Sequence, residues 1–189
     1  EDPVQASLKS AAVLRELVPL LTRTALTEQG IELEALYQAP ALYELTGRTP
    51  PESGSPVIAF SVTESLHAGQ LPEEATKFVL RVDDKGPFVP LQVKRLNEDP
   101  HHRTTDYLFP GKDSNGSTLI KSGHQVLTLS AVTDDTMGIT SATALVWHLP
   151  ISPSTPSSTS TVISLTDAQI IQVDGDDQGF KPNLLTVTK

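Results

Sequence analysis

Gln125-Val126-Leu127-Thr128-Leu129-Ser130-Ala131-Val132 decides the fold class. Its side chains alternate with a period of two. Leu127, Leu129 and Ala131 share one face, and Val126, Thr128, Ser130 and Val132 share the other, the pattern of a strand with one covered side. Leu127 and Leu129 are therefore expected in the core. Further along, Ala142, Ala144, Val146 and His148 alternate with Thr143, Leu145, Trp147 and Leu149. Trp147, the single tryptophan, is expected to anchor the core.

Working backwards, strand-like runs recur at intervals of roughly 10 residues, the spacing of an antiparallel sandwich. They are Val57 to Thr63, Lys77 to Val82, Pro90 to Leu96, Thr104 to Phe109, Ser117 to Lys121, Gln125 to Thr133 and Ser141 to Leu149. Asp83-Asp84-Lys85-Gly86 and Asp113-Ser114-Asn115-Gly116 read as tight turns, because Gly and Asn accept positive φ. The expected fold class is mainly β: an antiparallel β-sandwich over residues 56–150, with an N-terminal helical segment.

That helix is expected to start at Asp2, followed by Pro3 and, three residues after Asp2, Gln5, a cap, first-turn proline and capping box together. Leu14, Leu17, Val18 and Leu21 give one apolar stripe. Pro19 interrupts it, which predicts a kink or two short helices, and Gly30 is the expected stop. Ile31 to Tyr37 alternates as a strand. Leu42 to Leu45 reads as strand or helix, with the strand preferred. Residues 1–47 thus form a helix plus short strands, packed on the sandwich or preceding it, and the Pro- and Gly-rich stretch from Arg48 to Pro56 is a connector.

The stretch from Gly123 to Gly138, followed by Thr140 to Leu149, resembles the closing hairpin of bacterial immunoglobulin-like modules: a glycine, a strand of Thr and aliphatics, an Asp-rich turn, and a last alternating strand. The resemblance implies that the sandwich over residues 56–150 is an immunoglobulin-like antiparallel β-sandwich, with a binding, spacer or adhesion role. Residues 151–161, Ile-Ser-Pro-Ser-Thr-Pro-Ser-Ser-Thr-Ser-Thr, lack the apolar side chains that offset ordering entropy and read as a linker, reaching about 30 Å if extended. Residues 162–189 are too few for an independent core and read as a C-terminal β segment that docks on the sandwich or opens a further domain. Ile170 to Val173 and Gly179-Phe180-Lys181-Pro182-Asn183 onward resemble the opening strands of cupredoxin-like domains. That family's copper ligands do not occur in this stretch.

Composition narrows the function. The 189 residues include 14 Lys and Arg against 23 Asp and Glu, a formal charge of −9 that repels phosphate backbones, so no nucleic-acid partner is expected. Cysteine is absent, which removes disulfides, thiolate metal sites and cysteine nucleophiles. No apolar run reaches the roughly 18 to 20 residues of a membrane span. A start at Glu1 suits a mature protein trimmed of its signal peptide or a cloned fragment. The Ser/Thr/Pro tract, 15 prolines and absent cysteine favour an extracytoplasmic location: periplasm, cell surface or secreted.

Neither Gly-x-Ser-x-Gly, His-Glu-x-x-His nor a Gly-rich phosphate cradle occurs. The leading expectation is a non-catalytic binding or spacer module that meets a protein or cell-envelope partner and carries no cofactor. Its rival is a periplasmic metal-handling protein. Asp99, His101 and His102 supply the carboxylate and imidazole mixture that copper or zinc accepts, although adjacent residues reach one ion only from a turn. His124 and His148 would join them only if strand order brings those ends together. Calcium would call on Asp174, Asp176 and Asp177, or on Asp134 and Asp135; Leu185 replaces the closing Glu of an EF-hand. Asn115-Gly116-Ser117 also matches a glycosylation acceptor, and the turn itself accounts for Asn-Gly.

Overall fold

The computed structural model describes residues 3–51, 56–132, 143–151, 172–176 and 179–183, the backbone alone for 3–9 and the last two stretches. The chain divides into two compact units, 1–155 and 156–189. In the second, β10 (Gln172–Asp176) pairs antiparallel with β11 (Gly179–Asn183). The 151–161 linker, beyond Ile151, and the Asp2 cap lie outside the described residues.

The first unit is two antiparallel sheets. One has the order β1-β2-β3-β7-β6: β1 (Thr22–Leu26), β2 (Glu32–Tyr37), β3 (Val57–Ser65), β7 (His102–Pro110) and β6 (Gln92–Glu98). The other has the order β5-β4-β8-β9: β5 (Lys85–Phe88), β4 (Lys77–Val82), β8 (Gln125–Val132) and β9 (Ala144–Leu149). The sheets meet through alternating side chains. Ile58, Phe60 and Val62 from β3, with Tyr107 and Phe109 from β7, face Phe78, Leu80, Leu127, Leu129, Leu145 and Trp147. Phe60 lies 5.0 Å from Trp147 and Phe78 lies 5.1 Å from Tyr107, ring to ring across the interface.

The N-terminal segment is part of this sandwich, because β1 and β2 extend the five-stranded sheet. One helix, α1 (Pro3–Leu21), includes Pro19, and a strand follows it directly, where a helix continuing towards Gly30 was expected. Pro19 withdraws an amide from the last turn, and Thr22 and Thr24 favour extended backbone. Leu17 and Leu21 of the stripe are buried while Val18 is exposed. The Leu21 carbonyl accepts a 2.7 Å bond from the Trp147 indole, and the Arg23 guanidinium donates to the Val146 carbonyl at 2.8 Å. These bonds fasten the helix end and β1 to β9.

Two further expectations are corrected. Residues 40–46 form helix α2 (Pro40–Thr46), not a strand: Pro40 occupies the first turn and Gly47, at φ 64°, ends it. Ser117 to Lys121 is not a ladder strand but keeps one bridge, Lys112 to Thr118. There the Asp113 carboxylate accepts from the amides of Asn115 and Ser117, at 3.0 and 2.9 Å, and winds the chain into a loop.

Candidate functional site

At the end of the sandwich where β3 finishes and β7 begins, the alternation carries charge into the core. Ile58, Phe60, Val62 and Glu64 share the inner face of β3, as Arg103, Thr105, Tyr107 and Phe109 share that of β7. Glu64 and Arg103 are register partners and both are buried. Arg103 Nε donates to Glu64 Oε2 at 2.7 Å. Its Nη1 donates to the Pro72 carbonyl at 2.7 Å and its Nη2 to the Glu74 carbonyl at 3.0 Å. Glu64 Oε1 accepts from the Thr76 hydroxyl at 2.6 Å and the Thr76 amide at 3.1 Å. The Tyr107 hydroxyl then donates to the Thr76 carbonyl at 2.6 Å. Residues 72–76, which lead into β4, are thereby fastened over the end of the core.

The bond that Arg103 donates to Glu64 holds the Arg103 pKa above its ordinary value, and burial, the leading cause, raises that of the Tyr107 phenol. Each group is thus kept in one protonation state by scaffold partners. The network is a structural lock.

The predicted metal residues sit at the neighbouring β6–β7 connection, Asp99 and His101 within it and His102 as the first residue of β7. Asp99 Oδ1 accepts from the amides of His101 and His102 at 2.8 and 2.7 Å, which holds its carboxyl below the usual range. The His101 carbonyl accepts from the Leu66 amide, and His102 Nδ1 lies 3.0 Å from Ser65 Oγ. Both histidines are exposed. His124 and His148 lie at the opposite end, where β8 starts beside the close of β9, so strand order keeps them from His101 and His102. Among the described residues no group of three His, Asp or Glu is placed to hold a metal ion. The calcium candidates Asp134, Asp135 and Asp177, and the side chains of Asp174 and Asp176, lie outside the described residues.

A groove of about 320 Å³ opens where β3 starts, lined by Tyr37, Gln38, Pro40, Tyr43 and Pro56 among others. Tyr43 donates to Gln38 Oε1 at 2.6 Å, and Gln38 Nε2 to Asp106 at 3.1 Å. Burial pushes the Tyr37 phenol up to about 12 and raises that of Tyr43, so the groove presents neutral hydroxyls.

Large exposed apolar side chains gather elsewhere. Val89 (68% exposed), Leu91 (64%), Val93 (50%) and Leu96 (50%) lie on the arm from the end of β5 through β6. β6 is the last strand of its sheet, and every residue in it is exposed. Leu91 and Val93 point to the same side as Tyr107, beyond the cover of the second sheet, while Gln92 and Lys94 point to the other. Register slips between Arg95 and Asn97, so the straight edge ends at Arg95. Residues 85–98 hold three basic side chains, Lys85, Lys94 and Arg95, and one acidic, Glu98, in a chain that is acidic as a whole. No protein-family model, curated protein or solved structure matches this chain.

Proposed function

We propose that the first unit is a non-catalytic binding module of immunoglobulin-like type, working outside the cytoplasm and taking a protein partner on the β6 edge. The order β2-β3-β7-β6 opposite β5-β4-β8-β9 supports the family reading, because it follows the A-B-E-D and C′-C-F-G order of such sandwiches. The chain's lack of cysteine and its Ser/Thr/Pro tract support the compartment.

The observation that carries the binding reading is the arm itself: an edge strand paired on one side alone among the described residues, with apolar Leu91 and Val93 on one face and Lys94 on the other. An extended segment alternating apolar and acidic residues fits both sides, adding a strand to the sheet while its carboxylates meet Lys94. The full chain should bind a fluorescent peptide of alternating valine and glutamate, more weakly as salt rises, and lose it in the Leu91→Asp/Val93→Asp variant. Four results would overturn the reading: no binding, equal binding of a valine–lysine peptide, self-association through the arm, or an increase in melting temperature with copper or zinc that His101→Ala abolishes.

A further inference from the structure

We infer that Asn115 is a site of spontaneous succinimide formation that the folded loop holds dormant, with Lys85 and Asp113 as its latch. Three asparagines occur in the chain, and Asn115 is the one followed by glycine. Asn115, Gly116 and Ser117 are all exposed. Glycine offers no side chain to hinder attack by its own amide nitrogen. In the reaction the Gly116 nitrogen bonds to Asn115 Cγ, the Cγ–Nδ2 bond breaks, and the Gly116 amide proton departs with that nitrogen as ammonia. Water then opens the ring at either carbonyl, leaving aspartate or its β-linked isomer.

The loop opposes the first step. The Gly116 amide, which must lose its proton and swing onto Cγ, donates to the Asp113 carbonyl at 2.9 Å. Gly116 is held at φ 77°. The Asp113 carboxylate binds the amides of Asn115 and Ser117 on either side, and its negative charge disfavours deprotonation of the amide between them. Asp113 is itself positioned by Lys85 Nζ, 2.6 Å from Oδ2. Once formed, the β-linked product lengthens the backbone by one methylene inside this hydrogen-bonded loop and adds a carboxylate beside Asp113. The modified loop cannot close in its original register.

The test is peptide mapping by mass spectrometry of the full chain aged in mildly alkaline buffer. Conversion at Asn115 should be several-fold slower in the native chain than in the same chain held unfolded in urea. Lys85→Met, which removes the latch while leaving Asp113 in place, should give an intermediate rate. In the unfolded chain Asn115 should convert faster than Asn97. Equal native and unfolded rates would overturn the protective role of the loop, as would a native rate unchanged by Lys85→Met; an unfolded chain that leaves Asn115 intact would overturn the site.

Discussion

Arg103 and Glu64 face each other across the β7–β3 ladder with Nε 2.7 Å from Oε2, both buried, at the one place where the inner faces of these strands turn from aliphatic to charged. Both groups have all their strong contacts within the protein. Arg103 holds the carbonyls of Pro72, Glu73 and Glu74 in the segment leading into β4, and Glu64 holds Thr76 of the same segment. A buried pair of this kind adds little over a well-packed apolar pair, but removing one partner strands the other.

Arg103→Met should therefore cost about 3–5 kcal/mol in urea unfolding, because it leaves the Glu64 carboxylate buried and unpaired. Glu64→Leu combined with Arg103→Met should recover a large part of that loss. A double variant as unstable as the sum of both single changes would show that the loop contacts matter more than charge compensation.

Trp147 fills the centre of the core and donates to the Leu21 carbonyl. Trp147→Phe should cost about 1–3 kcal/mol, as it orphans a carbonyl and leaves part of the ring's volume empty. Proteolysis should then cut sooner at the end of α1, and its first cleavage sites check this.

Acid should weaken the fold through particular turns. The folded pKa of Asp113 is lowered chiefly by the Lys85 bond, and that of Asp99 by the amides of His101 and His102. A depressed carboxyl contributes stability above its unfolded pKa of about 3.9 and loses it as pH falls through the folded value. Lys85→Met should flatten the acid limb of the urea midpoint against pH. Tyr37 has the opposite sign: with its folded pKa raised to about 12, its contribution is present below the unfolded value of about 10 and fades as pH climbs through the folded one. Tyr37→Phe should flatten the alkaline limb.

Gly86 has φ 106°, and a Cβ there would lie 2.8 Å from the Leu80 carbonyl oxygen. Gly86→Ala should cost about 1–3 kcal/mol, since both the backbone conformation and the approach of β5 to β4 are compromised. Thermal unfolding measures the cost.

Much of this architecture was legible in the alternation of side chains. Lys77–Val82 coincides with β4, and Leu127, Leu129 and Trp147 are buried as their phase requires. The lock was not legible. Strands expected to end at Thr63 and begin at Thr104 stop one residue short of Glu64 and Arg103, because a charge conventionally marks where a covered face ends. The signal was their phase: Glu64 continues Ile58, Phe60 and Val62, and Arg103 precedes Thr105 and Tyr107 at the same spacing. The strand β1 was hidden by the helical stripe running into Thr22, and α2 by a run too short for periodicity to separate strand from helix. Asp99, His101 and His102 were legible as a connection, since they fall between the runs Pro90 to Leu96 and Thr104 to Phe109. That the carboxylate is engaged by the two histidine amides depends on backbone geometry that spacing does not encode.

Amide hydrogen exchange of the full chain, with and without the valine–glutamate peptide, tests the proposed function most directly. Added protection should fall on Leu91 to Arg95, and the Leu91→Asp/Val93→Asp variant should lack it. Protection at the Tyr43 groove or the His101–His102 turn, with none on β6, would contradict the assignment of the binding edge.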